Sequence, residues 1–390
     1  MEINWTDVVI VLFVLFFIRA GWKYGLISNL FSGTGLVGGF VLGVYLVERF
    51  YKPGSPEPIV AISAIGLMIG CGLIGNIVLS YVGQLFKIPE GWPRRVNGIL
   101  GAIFGGALAL AVAWAVGFAI VAAPTLSVSQ SVRDSRVLDH IDAHMPPTAA
   151  TQLSGLTKTI TTDVFPRYLS PFEREVVVEV DAPDPKIVEE ARLRKAAQSV
   201  VKVSGRSKCN EIITGSGFVY APELVMTNAH VVAGVSAPKI TINTTEYEAK
   251  TVVFDPQLDV AVLRVKGLKT ARLLFADPPG KGDRTAVVGY PKGGPLSAGP
   301  ARVRGVMTFD SPNIYQQGEY PREVISFRGV VLPGNSGGPL MTASGQVLGV
   351  IFAASSSAPN TGYALTADQV TVPAGKGYNS TKTVSTGDCV

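Results

Sequence analysis

Residues Gly329–Leu340 read GVVLPGNSGGPL. Four glycines and two prolines in this stretch suit a tight turn between strands, because glycine reaches backbone angles closed to other residues. The same letters suit a loop that presents Ser336 among inward-pointing backbone N–H groups. Serine is a weak nucleophile until a base takes its proton and a third group orients that base. The choice between turn and nucleophile loop therefore depends on residues elsewhere.

From Ser199 onward the chain is a series of short Val/Ile/Phe-rich runs separated by Gly, Pro, Asp and Asn. These include SVVKVSG, GSGFVY, LVMTNAHVV, KITINTT, DVAVLRV, TAVVGY, ARVRGVMTF, EVISFRG and QVLGVIFAA. The pattern predicts an antiparallel all-β barrel or double barrel over about 190 residues, with no long helix between strands. This region holds one histidine, His230. A histidine beside apolar residues is ordinarily packed or in a turn, but His230 closes a strand where a Thr-Asn-Ala-His turn would expose it. Asp259 opens the alternating run DVAVLRV and so enters the edge of the core, whereas Asp255, followed by Pro256, reads as an exposed turn. The order His230, Asp259, Ser336 provides a base, an orienting carboxylate and a nucleophile. The N–H groups of Gly334 and Ser336 are the natural pair to hold a developing oxyanion, each contributing roughly 3–4 kcal/mol.

The chain is 47% hydrophobic, and the excess lies before residue 125: Trp5–Ala123 contains seven Lys/Arg and four Asp/Glu. Four apolar segments, near 5–22, 25–47, 58–86 and 97–123, approach the ~20 residues that cross a bilayer. The acidic N-terminus (Glu2, Asp7) and the RAGWKYG that follows the first segment argue against a cleaved signal peptide. Glycines recur at four-residue spacing (Gly35, Gly39, Gly43; Gly66, Gly70; Gly101, Gly105), which predicts close helix packing and, more weakly, self-association. Arg19, Lys23, Lys87, Arg94 and Arg95 fall in the first and third connections, against Arg49 and Lys52 in the second. That bias puts both ends of a four-span unit, and everything after residue 124, outside the cytoplasm. The net charge of +5 comes without a Lys/Arg run or interleaved aromatics, so nucleic acid is not an expected partner.

Residues 125–185 read as a linker, with a helix over SVRDSRVLDHIDAHM. His140 and His144 stand four apart there, but no glutamate neighbours the first in the manner of a zinc motif, so no metal is expected. Of three cysteines, Cys71 lies in the third apolar segment. Cys209 and Cys389, outside the membrane, either pair or remain two separate thiols.

TNAHVV, DVAVL and GNSGGPL together resemble the three catalytic motifs of the bacterial branch of the trypsin-like serine proteases, over roughly residues 195–390. Residues 1–124 resemble, mainly in topology, the four-span CvpA (colicin V production) membrane family. The combination is similar to the membrane-anchored serine proteases of actinobacteria. That resemblance implies a four-helix transmembrane N-terminal domain (1–124), a linker (125–185) and a chymotrypsin-like double β-barrel (186–390). It also implies catalysis by His230, Asp259 and Ser336, a Cys209–Cys389 bridge, no cofactor, and protein substrates in the cell envelope. A role in envelope homeostasis or acid-stress tolerance follows from the same similarity.

Asn335 stands where many trypsin-like enzymes carry the aspartate of their zymogen switch, so that activation route is not expected. By the same resemblance Val330 would form the base of the primary specificity pocket, and Phe352, Ala353 and Ala354 its walls. With no carboxylate at the base, a small or medium apolar side chain is the expected preference. Two other functions fit the same segments: a catalytically silent binding module, and a transport or secretion unit regulated by its protease domain. The apolar segments lack the mid-membrane charges that coupled transport uses.

Overall fold

The computed structural model describes residues 4–50, 58–86, 91–122, 129–145, 177–355, 358 and 360–390. The described chain divides into two compact units, helical through residue 145 and β-rich from residue 177. Lys52, Lys87 and much of the expected linker lie outside the described residues.

In the first unit the apolar runs form helices α1 (Trp5–Phe50), α2 (Pro58–Gln84) and α3 (Trp92–Ala122). All three contain stretches long and apolar enough to cross a membrane. Among the described residues there are thus three long helices where the sequence predicts four spans. However, α1 is broken at Gly25, whose φ of 77° and ψ of 173° leave the helical region, and this break falls at the boundary expected between the first two spans. Neighbours of α1 show what the break does. Phe17 packs at Gly105 and Gly21 at Gly101, whereas Gly33 packs at Phe104 and Leu108. Position along α3 therefore descends before Gly25 and ascends after it, so the chain doubles back there. Asn97 Oδ1 accepts the Leu26 N–H at 3.0 Å, and Asn29 Nδ2 donates to the Gly25 carbonyl at 2.7 Å. These bonds occupy polar groups that a helix break would otherwise leave unpaired in an apolar setting.

Glycines set the spacing of the bundle. A Cβ on Gly35 would strike the Gly75 backbone, one on Gly39 the Cys71 carbonyl, and one on Gly101 the Gly21 carbonyl. Gly66 and Gly70 differ from the expectation, since among the described residues no neighbour outside their own helix backbone lies within 4 Å of their Cβ positions. Residues expected in the linker continue this unit as α4 (Ser129–Arg133) and α5 (Arg136–Asp142). Val132 and Leu138 are buried with Ile10 and Trp114. The Trp114 indole N–H donates to Asp142 at 2.7 Å, and Asn4 Nδ2 to the Ser131 carbonyl at 2.8 Å. His140 and His144 are exposed on this element, and among the described residues no three metal-ligating side chains cluster.

Among the described residues the second unit holds thirteen strands in two layers. The first sheet comprises β1 (Val200–Arg206), β2 (Ile212–Ala221), β3 (Leu224–Thr227), β4 (Lys239–Ile242), β5 (Thr245–Glu248), β6 (Lys250–Asp255) and β7 (Val260–Arg264), in the order β5-β4-β1-β2-β3-β7-β6. Its edge strands β5 and β6 are separated only by Ala249, whose N–H bonds to the Pro238 carbonyl at 2.9 Å. The sheet therefore coils until its edges are two halves of one bent strand. The second sheet is a closed barrel of β8 (Arg284–Gly289), β9 (Ser297–Ser311), β10 (Tyr320–Gly329), β11 (Pro339–Thr342), β12 (Val347–Ala354) and β13 (Thr361–Thr366).

Side-chain alternation along each strand produces three cores. Val201, Val203, Val219, Val225, Ala261 and Leu263 fill the first sheet, and Val303, Ile325, Phe327 and Ile351 fill the barrel. Their sequence neighbours Val200, Phe218, Met226, Val262, Val350 and Phe352 point the other way and join the two layers. Helices α6 (Ala191–Ala197) and α7 (Ala367–Asn379) add Leu193 and Val370 to that shared core. Helix α7 contains Pro373, Gly375 and Gly377, which hide it in sequence.

Candidate active site

His230 follows β3, Asp259 immediately precedes β7, and Ser336 lies in the loop between β10 and β11. The first sheet thus carries the histidine and aspartate, and the barrel carries the serine.

Asp259 is fully buried and adopts a left-handed φ of 62°, a conformation that aspartate tolerates better than most residues. Its backbone is held by Asn228, whose Nδ2 donates to the Asp259 carbonyl at 2.8 Å. The carboxylate meets His230 twice. Oδ1 accepts the His230 backbone N–H at 2.9 Å, and Oδ2 lies 2.7 Å from the ring Nδ1. An ionised carboxylate only accepts, so the proton of the neutral imidazole sits on Nδ1 and its lone pair on Nε2. The His230 side chain keeps 11% of its surface exposed, which leaves the ring accessible at one edge.

Ser336 is 5% exposed in a loop whose turns need glycine: φ is 93° at Gly334 and 82° at Gly337. The loop is fixed by backbone hydrogen bonds, within itself and to β12. Asn335 N–H donates to the Leu332 carbonyl at 2.9 Å, Gly337 N–H to Ile351 at 2.8 Å, and Gly338 N–H to Asn335 at 2.9 Å. Across the gap between sheets, Ser216 N–H of β2 donates to the Ser336 carbonyl at 2.8 Å, and Thr227 Oγ1 donates to the Ser216 carbonyl at 2.7 Å. A Cβ on Gly215 would lie 2.6 Å from Val231 Cγ1 and 3.1 Å from the Ser336 carbonyl oxygen. The segments bearing His230 and Ser336 therefore approach across a glycine.

Cys209 and Cys389 form a disulfide, with Cα atoms 6.4 Å apart. The tail it anchors runs beside the chain that follows His230. Gly234 N–H donates to the Thr386 carbonyl at 3.0 Å, and Thr386 Oγ1 donates to the Val235 carbonyl at 3.0 Å.

The residues expected to form the specificity pocket differ in exposure. Val330 is 57% exposed on the loop after β10 and forms no buried floor. Phe352 is fully enclosed in the core between the sheets, its ring 5.8 Å from the Arg322 guanidinium carbon. Strand alternation turns position 352 inward, so Phe352 lines no open surface. Ala353 is almost fully buried and Ala354 half-buried. The reading of the residues also passed over Asn228, Ser216 and Thr227. Their signal is a polar side chain inside a strand or turn that is otherwise apolar, since such a group is retained only when bonded.

Residues 215–350 match the trypsin-like peptidase domain, and residues 6–146 match the Colicin V production protein. Serine protease Rv3671c of Mycobacterium tuberculosis is 32% identical over 393 residues, covering 99% of each chain. The solved active form of the Rv3671c protease is 40% identical and covers 57% of this chain and 100% of its own, with a TM-score of 0.55. A DegP-like probable periplasmic serine endoprotease of Ectopseudomonas mendocina is 32% identical over 186 residues, 46% of this chain and 38% of that protein. With two matched domains and a relative aligned from end to end, the chain belongs to the family of the serine protease Rv3671c (MarP), in which a Colicin V production membrane domain precedes a trypsin-like peptidase domain.

Proposed function

We propose that the protein is a membrane-anchored endopeptidase that cleaves proteins of the cell envelope outside the cytoplasm. Ser336 is the nucleophile, His230 the general base and Asp259 its orienting carboxylate. The observation that carries this reading is the pair of contacts from Asp259 to His230, 2.9 Å to the backbone N–H and 2.7 Å to Nδ1. With Nδ1–H committed to Asp259, Nε2 takes the Ser336 proton as Oγ attacks the scissile carbonyl. Asp259 stabilises the resulting imidazolium, and the N–H groups of Gly334 and Ser336 hold the oxyanion. His230 then gives its proton to the leaving amine, and water releases the acyl group by the same steps in reverse.

The envelope location rests on topology. Counting α1 as two passes about Gly25 gives four spans, and the Lys/Arg bias then puts the peptidase unit outside. A disulfide between Cys209 and Cys389 fits an oxidising compartment.

The test is activity-based labelling of the full-length chain in lipid nanodiscs. A fluorophosphonate should attach to Ser336, located by peptide mass mapping, and Ser336→Ala should take no label and cleave no casein. An unlabelled wild-type chain overturns the assignment.

A further inference from the structure

The hydroxyl of Ser216 is fully buried and spans two elements of the site. It donates to the Gly334 carbonyl at 2.6 Å and accepts the Tyr290 N–H at 2.8 Å. Roles are fixed on both sides, because a carbonyl only accepts and an N–H only donates. The single hydroxyl proton is therefore directed at Gly334. Gly289 keeps this space open, since a Cβ there would lie 2.7 Å from Ser216 Oγ.

The Gly334 carbonyl and the Asn335 N–H belong to one peptide plane. Ser216 holds its oxygen end, and the Leu332 carbonyl holds its N–H end at 2.9 Å. That plane lies between the two peptides whose N–H groups belong to Gly334 and Ser336. Fixing it limits the direction of both, because each adjoins it through one Cα, and the Lys292 N–H also holds the first of them by the Pro333 carbonyl at 2.6 Å. The backbone of Ser216 adds two more ties, its N–H to the Ser336 carbonyl and its carbonyl to Thr227, three residues before His230.

We propose that Ser216 is a positioning residue of the reaction: its side chain locks the Gly334–Asn335 peptide so that the oxyanion donors stay aimed. The inference rests on the nucleophile and oxyanion roles proposed above and assigns a determinant to them. Ser216→Ala leaves the Gly334 carbonyl and the Tyr290 N–H without this partner and frees the peptide to rotate. Stabilisation is then lost mainly in the transition state, so kcat falls roughly tenfold to a hundredfold with KM little changed.

The test compares full-length wild type, Ser216→Ala and Thr227→Val in nanodiscs, with fluorogenic casein turnover, fluorophosphonate labelling rate and melting midpoint as readouts. Thr227→Val is the matched control, because it also removes one buried hydrogen bond to Ser216 but spares the Gly334 carbonyl. Ser216→Ala should lose at least tenfold in kcat and labelling rate, and clearly more than Thr227→Val, at comparable melting midpoints. Equal losses in the two variants mark a merely structural bond and overturn the proposal, as does a Ser216→Ala turnover within twofold of wild type. Should Ser216→Ala not fold, Ser216→Cys keeps the shape with a weaker donor, and its turnover should fall below wild type; a wild-type value overturns the proposal. A wild-type chain unlabelled at Ser336 removes the nucleophile assignment and this inference together. A labelled wild type beside an unaffected Ser216→Ala removes this inference alone.

Discussion

Asp259 holds His230 by both backbone and ring, through Oδ1 at 2.9 Å and Oδ2 at 2.7 Å. The backbone bond fixes where the histidine turn sits, and the ring bond fixes which nitrogen carries the proton. Asp259→Asn separates these roles. The amide keeps the size and the left-handed backbone of position 259, so the fold persists. An asparagine that turns its NH2 toward Nδ1 places the ring proton on Nε2, where it cannot accept from Ser336. Casein turnover at neutral pH should fall by about 10⁴-fold, with the melting midpoint lowered far less than by a core truncation. Turnover within tenfold of wild type would remove Asp259 from the reaction.

His230, Asp259 and the Ser336 loop were legible because each sits in a short stretch whose letters make poor sense as packing alone: an Asn-Ala-His strand end, an Asp at a core edge, a glycine-flanked serine. The strands with strong Val/Ile content were legible for the same local reason. Short or polar strands such as β5, TEYE, carry no such signal, because their residues pair at an edge and bury little. Helix α7 was hidden by Pro373 and two glycines, and it persists because Val370 and Ala374 pack into the shared core. The facing of the expected pocket residues was hidden for a different reason. Counting residues from Ser336 locates a position in the chain, but whether Phe352 faces solvent or core depends on strand register, which alternates side chains one residue at a time.

Arg322 offers a test of how the two layers hold the aspartate. It is fully buried on β10 of the barrel, yet its guanidinium reaches the first sheet. Nε and Nη2 both donate to the Gln257 carbonyl, two residues before Asp259, and Nη2 also donates to the Pro312 carbonyl at 3.0 Å. Arg322→Met fills the volume but takes the donor from the Gln257 and Pro312 carbonyls. About 2–4 kcal/mol of stability should be lost, read as a lower denaturation midpoint. Arg322→Lys should recover only part of it, because one ammonium cannot reproduce the planar fork. Full recovery by lysine would show that charge alone suffices.

The Cys209–Cys389 bridge closes a loop of 180 residues and holds the tail against Gly234 and Val235, just beyond His230. The chain-entropy model sets roughly 5 kcal/mol for a loop of this length, and measured bridges mostly contribute about 2–4 kcal/mol. Replacing both cysteines by serine should lower the melting midpoint by roughly 4–16 °C at 2–4 °C per kcal/mol. Activity should decline at lower temperature than global unfolding, because the histidine-bearing segment loses its outer wall first. Coincident loss of activity and fold would show that the tail supports the whole unit and not the site in particular.

Within the helical unit, glycines that touch and glycines that do not should respond in opposite ways. Gly101 lies against Gly21 and the Gly25–Leu26 backbone, so Gly101→Val must push α1 and α3 apart. Closely approaching backbones supply much of the attraction between helices in lipid, where apolar side chains gain little by leaving one apolar solvent for another. The variant should lose the α1–α3 pairing, seen as faster amide exchange across Ile10–Gly25 and as early melting in detergent. Among the described residues no neighbour outside its own helix backbone lies within 4 Å of the Gly70 Cβ position, so Gly70→Ala replaces a poor helix former at no steric cost there. It should leave exchange unchanged or slow it, by up to about 1 kcal/mol of local helix stability. If Gly70→Ala destabilises the chain in nanodiscs but not in dilute detergent, that face is covered by a second copy, and the glycine serves contact between chains rather than within one.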